Sequence, residues 1–269
     1  MTSPAAGQAP RFSGEPVLIT GGAGGMGAAM ARRFASSGAR VAIVDLKPDA
    51  VADAADVMRG EGLDVIGVPA DTTDEESMAT AVAETARKFG SLYGLVTAAG
   101  IRQTAAGFTE IDLALWRTIM EINVTGTLVA IRAATQELVA SKGAIVTVAS
   151  VTAGAARMNQ SAYVTSKAAV LHLSKQVALE LAADGVRVNC LCPGVTNTPM
   201  IEQAVRTDGP TVLTDKLKGS LEQFRPGVPL GRLAEPEEQA AAAEFLLSKD
   251  ASFITGVGMF VDGGVSMLG

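Results

Sequence analysis

Residues 17–27 read Val17-Leu18-Ile19-Thr20-Gly21-Gly22-Ala23-Gly24-Gly25-Met26-Gly27, and this stretch decides the fold. Its apolar start is typical of a buried strand, and a helical pattern over 25–37 follows the glycines at once. Glycines at such a turn let the backbone come close to a pyrophosphate, and the start of the helix presents free N–H groups to it. Because a second apolar run follows at 40–44, the stretch predicts the opening unit of a nucleotide-binding domain.

Short apolar runs and longer helical patterns alternate along the chain. The runs that predict strands fall at 16–20, 40–44, 63–68, 92–97, 144–149, 186–191 and 257–261. The patterns that predict helices fall at 25–37, 48–60, 74–89, 110–139, 160–182 and 235–247. Several strand runs are apolar throughout, as expected for parallel strands covered on both faces. The alternation predicts an α/β, single-domain Rossmann fold: a doubly wound seven-stranded parallel sheet with helices on both faces.

The alternation breaks once, at residues 195–232, which are rich in Pro, Gly, Thr and charged residues and show no clear strand. At about 40 residues this segment exceeds an ordinary connection, so we expect a lid over a substrate site. Residues 1–14 are small and polar and are expected to form a flexible segment. A single domain over 15–269 is the expected organisation.

Composition and charge argue against several classes of function. The chain has 269 residues with a net charge of −6, and no dense cluster of Lys and Arg indicates nucleic-acid binding. No apolar run approaches the ~18 residues that span a bilayer, so no membrane association is expected. Cys190 and Cys192 are the only cysteines, and we expect two reduced core thiols in a cytoplasmic protein. No set of metal ligands is visible, and we predict no metal site.

Asp45 ends the second predicted strand, 18 residues after Gly27. A carboxylate at about this spacing accepts hydrogen bonds from the adenosine ribose and repels a 2′-phosphate, which favours NAD over NADP. Two readings stay open beside this one. Lys47 is close enough in sequence to turn towards a phosphate, and Asp45 also suits a helix cap or a surface acid.

From residue 16 to residue 264 the chain resembles the short-chain dehydrogenase/reductase family. The resemblance lies in Thr20 to Gly27, Asn123, Ser150, Tyr163-Val164-Thr165-Ser166-Lys167, Pro193-Gly194, Thr198, Ile254-Thr255-Gly256 and Val261-Asp262-Gly263-Gly264. One motif departs from the family: Thr97-Ala98-Ala99-Gly100 stands where the family has Asn-Asn-Ala-Gly. At that position we therefore expect backbone contacts to the cofactor only.

The resemblance implies the site residues. Asn123, Ser150, Tyr163 and Lys167 are the implied catalytic set, with Asn123 holding a water that links Lys167 to solvent and Lys167 holding the nicotinamide ribose. Asp71 matches the family residue that contacts adenine. The implied cofactor-binding residues are Gly21, Gly25, Met26, Gly27, Asp45, Asp71, Thr72, Ala98, Gly100, Tyr163, Lys167, Thr196 and Thr198. A homotetramer is implied as well.

Tyr163 and Lys167 also support this chemistry on their own. They are four residues apart in a helical pattern, so they lie on one face. Free tyrosine has a pKa of ~10, and a nearby ammonium lowers such a pKa by ~1–3 units. We therefore expect Lys167 to lower the pKa of Tyr163, which acts as acid and base, while Ser150 binds the substrate oxygen.

The predicted function is that of an NAD-dependent short-chain alcohol dehydrogenase, an oxidoreductase that interconverts a secondary alcohol and its ketone. A 3-oxoacyl-type carbonyl reductase and a non-catalytic nucleotide-sensing protein are the alternatives. A neutral secondary alcohol, a hydroxysteroid-like ring, a sugar or polyol, and a dihydrodiol all stay open as substrates. Arg102 and Arg157 fall in the implied pocket walls, where they either meet an anionic substrate or are exposed surface arginines.

Helices 110–139 and 160–182 are apolar around much of their circumference, which suits burial against a partner subunit. His172 and Trp116 are interpreted as packing or interface residues of these helices.

Overall fold

Seven strands form one parallel sheet in the computed structural model, which describes residues 10–268. With the two strands of a separate hairpin, the described residues form nine strands: β1 (Pro16–Thr20), β2 (Arg40–Asp45), β3 (Val65–Pro69), β4 (Gly94–Thr97), β5 (Ala144–Val148), β6 (Arg187–Pro193), β7 (Gly219–Ser220), β8 (Arg225–Pro226) and β9 (Gly258–Val261). The order across the sheet is β3-β2-β1-β4-β5-β6-β9, while β7 and β8 pair separately as an antiparallel hairpin. The doubly wound prediction is confirmed.

Helices cover both faces of this sheet. They are α1 (Gly25–Ser36), α2 (Pro48–Gly60), α3 (Glu75–Phe89), α4 (Leu113–Met120), α5 (Gly126–Ser141), α6 (Ser161–Leu181), α7 (Pro199–Asp208), α8 (Val212–Lys218) and α9 (Pro236–Leu247). Neighbouring residues of a strand point to opposite faces. Accordingly Val17 and Ile19 lie in the core under α1, α2 and α9, while Leu18 lies in the core under α3 and α5.

The chain changes direction across the sheet at β1. From β1 it winds outward to β2 and β3, then returns to β4 on the other side, so that Val17 pairs with both Val41 and Gly94. In open parallel sheets, ligands bind at the carboxyl ends of the strands beside such a point. The fold thus positions a site next to the glycine loop.

The predicted helix over 110–139 is wrong in its start and its continuity. It begins at Leu113, because the Asp112 side chain accepts a hydrogen bond from Ala114 N (2.9 Å) and caps the first turn. A π-helical turn at Glu121–Thr125 then separates α4 from α5. A π turn inserts one residue into a helix, and because the apolar residues on both sides of it still recur at helical spacing, the sequence pattern missed it.

Residues 10–14 pack against the domain. Phe12 is buried, its ring centroid lies 5.8 Å from that of Phe34, and its N–H donates to Ser37 O (3.0 Å). The packed structure therefore begins before residue 15, while residues 1–9 of the predicted flexible segment lie outside the described residues. Within 195–232 the chain forms α7, α8 and the hairpin β7–β8.

The remaining expectations concern single residues. Cys190 and Cys192 are free thiols, fully buried, with 4.0 Å between their Sγ atoms. Trp116 is half-buried, and His172 is exposed, so His172 is no core residue and its interface role stays a prediction. No helix of residues 10–268 is both long enough and apolar enough to cross a bilayer.

Candidate active site

The glycine loop between β1 and α1 borders a groove of about 940 Å³. Gly21 has φ +68° and Gly25 has φ +53°, the left-handed region that favours glycine. A Cβ on Gly21 would lie 2.8 Å from Ala99 Cα, and a Cβ on Gly27 would lie 2.1 Å from Gly21 O. A side chain at Gly21 would thus block the packing of the loop on the segment after β4, and one at Gly27 would block the packing of α1 on the loop.

Carboxylates from two strand ends border the same groove. Asp45 ends β2, and its Oδ2 accepts a hydrogen bond from Ala23 N (3.3 Å) in the glycine loop. Asp71 follows β3, and its Oδ1 accepts from Thr73 N (2.8 Å) and Thr73 Oγ1 (2.7 Å). Asp45 keeps its other oxygen on its own neighbour, Leu46 N (2.9 Å), so the carboxylate is held in place at the rim.

Most of the predicted cofactor residues meet in this groove. Its lining includes Gly21, Gly25, Met26, Gly27, Asp45, Asp71, Thr72, Ala98, Gly100 and Thr198. Three others lie elsewhere: Tyr163 and Thr196 line an adjoining pocket, and Lys167 is buried behind it. The open amides, the rim carboxylate and the size of the groove fit a dinucleotide.

The adjoining pocket, of about 120 Å³, brings Ser150 and Tyr163 together. Ser150 follows β5 and its hydroxyl accepts a hydrogen bond from Thr152 N (3.2 Å), while Tyr163 lies in the first turn of α6. Met26, Thr198 and Met200 line both cavities, so the pocket opens onto the groove. A hydroxyl and a phenol thus face the space where a cofactor and a small substrate would meet.

Lys167 lies one turn along α6 from Tyr163. Its ammonium donates to Val148 O (3.0 Å) and lies 5.8 Å from the centroid of the Tyr163 ring. Burial lowers the pKa of Lys167 to about 8.

In the protein chain by itself, Lys167 does not control the pKa of Tyr163, which corrects the expectation from the sequence. Burial has the largest effect and raises the pKa of Tyr163, because the phenolate is poorly solvated there. The Ser150 hydroxyl and then the positive charge of Arg102 oppose this rise. Lys167 is turned to the Val148 carbonyl instead. The charge that favours the phenolate therefore comes from Arg102, which lines the same pocket.

Asn123 lies within the π turn and is buried. Its Oδ1 accepts from Ile101 N (2.8 Å), and its Nδ2 donates to Ile101 O (3.1 Å) and Ser166 Oγ (3.0 Å). A Cβ on Gly100 would lie 3.0 Å from Asn123 Oδ1 and 3.3 Å from Lys167 Nζ. Asn123 therefore clamps the backbone after β4 to α6, beside the lysine.

Gln103 is a site residue that the sequence reasoning missed. Its Oε1 accepts from Ala162 N (2.8 Å) and Tyr163 N (3.2 Å), and its Nε2 donates to Asn159 O (3.2 Å). These are free N–H groups at the start of α6, so a buried side chain from another loop caps the helix that carries Tyr163. The sequence holds one indirect signal of this role. Gln160, the residue before α6, makes no side-chain cap for the helix, so the cap has to come from elsewhere in the chain.

Positive side chains border the pocket on the side away from the groove. Arg102, Lys216 and Arg225 line it, and Arg157 lies close enough to lower the pKa of both Lys216 and Arg225. Burial is the larger cause and lowers the pKa of Lys216 to about 8 and that of Arg225 to about 10. The sequence singled out Arg102 and Arg157. Lys216 and Arg225 lie in the 195–232 segment and carried no signal of their own.

Comparisons with known proteins agree with this geometry. A family model described as enoyl-(acyl carrier protein) reductase matches residues 21–266. A short-chain type dehydrogenase/reductase from Mycobacterium marinum has a solved structure that superposes with a TM-score of 0.84 at 31% identity, covering 94% of this chain and 96% of that one. This chain belongs to the short-chain dehydrogenase/reductase family.

Two further proteins place this short-chain dehydrogenase/reductase among enzymes. It is 38% identical to cis-4-hydroxycyclohexanecarboxylate dehydrogenase of Sinomonas cyclohexanicum, over 94% of this chain and 97% of that protein. A 3-ketoacyl-(acyl-carrier-protein) reductase from Brucella melitensis, solved with NADH, has a TM-score of 0.83 at 32% identity and covers 94% of this chain and 99% of that one. The short-chain dehydrogenase/reductase is an oxidoreductase with a nicotinamide cofactor, an NAD(P)-dependent alcohol dehydrogenase.

Proposed function

We propose that this enzyme interconverts a secondary alcohol and its ketone with NAD, and that Tyr163 is the acid and base. The observation that carries the proposal is the shared pocket: Ser150 and Tyr163 line a small cavity that opens onto the cofactor groove. When bound, the nicotinamide accepts a hydride from the alcohol carbon or returns it to the ketone carbon.

The residues of the chain move and hold the proton. In oxidation the Tyr163 oxygen accepts the hydroxyl proton of the alcohol, and in reduction the phenol returns a proton to the ketone oxygen. The Ser150 hydroxyl donates a hydrogen bond to the same substrate oxygen and stabilises the charge that develops on it. Lys167, anchored on Val148 O beside Asn123, would hold the nicotinamide ribose.

The two directions place opposite demands on Tyr163. Its raised pKa keeps the phenol protonated at neutral pH, which suits proton donation to a ketone. Oxidation needs the pKa to fall, and Ser150, the charge of Arg102 and the positive charge of an oxidised nicotinamide all act in that direction. We therefore expect oxidation to gain more than reduction from a rise in pH.

Substitution of Tyr163 tests the acid and base role. Tyr163→Phe should lower kcat by about a thousandfold, since general acid–base catalysis contributes ~10²–10⁴. NADH binding, measured by fluorescence titration, should change little. Turnover that persists in Tyr163→Phe would assign the proton transfer to another group.

NAD preference rests on Asp45, whose carboxylate is held at the groove rim by Ala23 N. A 2′-phosphate placed there would meet a negative charge at short range. Fluorescence titration should show NADH binding about tenfold or more tighter than NADPH, and Asp45→Ser should remove most of that difference. A clear NADPH preference of the unmodified enzyme would overturn this part of the proposal.

The reductive alternative is favoured by one observation, the likeness to the 3-ketoacyl-(acyl-carrier-protein) reductase solved with NADH. An acetoacetyl thioester assayed at 340 nm beside a panel of secondary alcohols decides between the two. The proposal expects kcat/KM for at least one secondary alcohol with NAD to exceed kcat/KM for the thioester with NADH.

We also propose a homotetramer in the cytoplasm. Leu113 on α4, Leu128 on α5 and Leu179 on α6 are 61%, 38% and 75% exposed, which suits burial of these helices by another subunit. Two reduced thiols, Cys190 and Cys192, suit a reducing compartment. Light scattering at micromolar concentration should give four chains, and a monomer would contradict the assembly.

A further inference from the structure

Four cationic side chains converge on the substrate pocket from four separate segments. Arg102 follows β4, Arg157 precedes α6, Lys216 lies on α8 and Arg225 on β8. Three of them line the pocket together with Ser150 and Tyr163, and Arg157 lies within electrostatic reach of Lys216 and Arg225. These charges lie in one place only because the loops beyond β4, β5 and β6 meet there.

Among residues 10–268, Arg102 is the one of the four that makes a direct ion pair. Arg102 pairs with Asp208 of α7, with side chains 12% and 9% exposed, and also donates to Thr207 Oγ1 (2.9 Å). Within residues 10–268, Arg157, Lys216 and Arg225 have no carboxylate oxygen within 4 Å. Asp215 acts on Arg225 from a longer distance. Four positive charges thus face two negative ones.

Unpaired hydrogen-bonding atoms are concentrated around the same pocket. In the part of the chain that the structure describes, seven buried side-chain polar atoms have no hydrogen-bond partner. Five of them are Arg157 Nε and Nη2, Arg225 Nε, Thr152 Oγ1 and Ser161 Oγ. Thr152 and Arg225 line the pocket, and Arg157 and Ser161 flank the loop that enters α6. Buried polar groups without partners are rare in folded proteins and call for a ligand or another explanation.

Holding like charges together away from water is costly without a counter-charge. The lowered pKa of Lys216 and of Arg225 reflects that cost, since burial and neighbouring cations both disfavour their charged forms. An anion that entered the pocket would relieve both causes and supply acceptors for the unpaired N–H groups. Neither Lys216 nor Arg225 belongs to the lining of the groove beside the glycine loop.

We propose that this enzyme takes its substrate as an anion: a compact secondary alcohol or ketone whose carboxylate or sulfonate is bound by Arg225 and Lys216 while Ser150 and Tyr163 hold the reacting oxygen. The inference rests on the proposed function, because it names the substrate class of that same site. The pocket volume of about 120 Å³ favours a small molecule over an acyl chain on a carrier. Arg102, already paired with Asp208, is a positioning residue for the lid rather than the anion clamp.

Matched pairs of acids and neutral isosteres test the proposal. The enzyme with saturating NAD is assayed on cis-4-hydroxycyclohexanecarboxylate, 3-hydroxybutyrate and 2-hydroxypropanesulfonate, and on the carboxamide or sulfonamide of each. The expected result is a kcat/KM about tenfold or more higher for at least one acid than for its neutral partner. Equal or higher kcat/KM for every neutral partner would overturn the inference while leaving the alcohol dehydrogenase activity in place.

Variants assign the effect to the proposed residues. Arg225→Gln and Lys216→Met should each reduce the ratio of acid to neutral kcat/KM by about tenfold. Lys218→Met, on the exposed side of the same helix, and Arg206→Gln, an exposed arginine of α7, are matched controls that should leave the ratio unchanged. An equal loss of the ratio in the controls would mean a general effect of net charge and would overturn the assignment.

A binding measurement tests the anion site even if the enzyme turns over none of these alcohols. Calorimetry with the NADH complex should detect cyclohexanecarboxylate binding that is weakened by Arg225→Gln, and should find cyclohexanecarboxamide at least about tenfold weaker. Absence of turnover with intact carboxylate binding would refute the proposed function but not the anion site. Equal binding of the two compounds would refute the anion site whatever the enzyme oxidises.

Discussion

The cofactor groove is shaped by backbone, whereas the substrate pocket beside it is shaped by side chains from distant loops. In the groove, Gly21 lets the chain fold against Ala99, and Gly27 lets the start of α1 pack on Gly21 O. In the pocket, Arg102, Lys216 and Arg225 set the charge. A site built from backbone accepts the one ligand shared by many enzymes, while a site built from side chains can change its substrate by single substitutions.

Of the substitutions that separate the two regions, the one with the largest expected effect disrupts the cofactor groove and leaves the substrate pocket unchanged. Gly27→Ala would bring a Cβ to 2.1 Å from Gly21 O, a clash with backbone that no side-chain rotation relieves. NADH affinity measured by fluorescence should fall by about a hundredfold or more. Gly60→Ala, at the end of α2 and outside the groove lining, is the matched control, because a Cβ there meets nothing within 4 Å. Similar losses of NADH affinity in both variants would show that the effect of Gly27→Ala does not come from the glycine loop.

A second change acts where the two regions meet. Gly100→Ala would place a methyl group 3.0 Å from Asn123 Oδ1 and 3.3 Å from Lys167 Nζ, so both side chains must shift by a few tenths of an ångström. We expect kcat to fall about tenfold with a smaller change in NADH affinity, measured by steady-state kinetics and titration. Unchanged kcat would mean that the positions of Asn123 and Lys167 matter less than their geometry indicates.

A third change loosens the pocket without touching its charges. Gln103→Leu leaves Ala162 N and Tyr163 N without their acceptor, which should cost about 1–2 kcal/mol of unfolding free energy and lower kcat several-fold. Gln103→Glu keeps the acceptor, and its negative charge suits the positive end of α6, so kcat should recover. If Gln103→Glu lost as much kcat as Gln103→Leu at equal stability, the cap would not position Tyr163.

The smallest expected effect is a pH dependence of substrate selectivity, which only the pocket should show. The pKa of Lys216 is about 8, so its positive charge is present below that pH and is lost as the pH rises above it. The groups facing it are Arg225, Arg102, Asp208 and Arg157. Between pH 7 and 9.5, KM for an acidic substrate should therefore rise about threefold more than KM for its carboxamide.

Taking the ratio of acid to carboxamide removes the titration of Tyr163 and Lys167, which acts on both substrates alike. Lys216→Met should remove most of the pH dependence of this ratio, since Arg225, with a pKa of about 10, stays largely charged below pH 9.5. A ratio that is flat with pH in the unmodified enzyme would show that Lys216 does not hold the anion. Unlike the groove, which offers backbone amides that do not titrate, the pocket should thus change its selectivity within a few pH units.

The sequence predicted the groove better than the pocket for a physical reason. Residues 17–27 lie together along the chain, and Asp45 follows one strand later, so local spacing determines where they meet. Gln103, Lys216 and Arg225 act across long sequence separations, and no local pattern states which loops will touch. The strand and helix order of the sheet followed from apolar patterns, because its strands and the helices α1, α2, α3, α5 and α9 bury apolar faces in one of two cores.

The missed details share another cause. The π turn at Glu121–Thr125 adds one residue to a helix whose apolar residues still recur every three or four positions. The pKa of Tyr163 depends on burial and on Arg102, which are properties of the folded pocket rather than of the spacing to Lys167.

The π turn also divides one long helix into two rotational phases. An α-helix advances about 100° per residue, so one residue inserted into a regular helix would rotate everything after it by that angle unless a π turn took it up. α5 keeps Val129, Ala134 and Leu138 in the core against the sheet, whereas α4 has Ile119 as its single fully buried residue within the described chain. A gain or loss of one residue between 121 and 125 would be taken up at this turn, so it would re-aim the amide of Asn123 while the sheet side of α5 stays packed. The turn thus separates the geometry of the active site from the packing of the core.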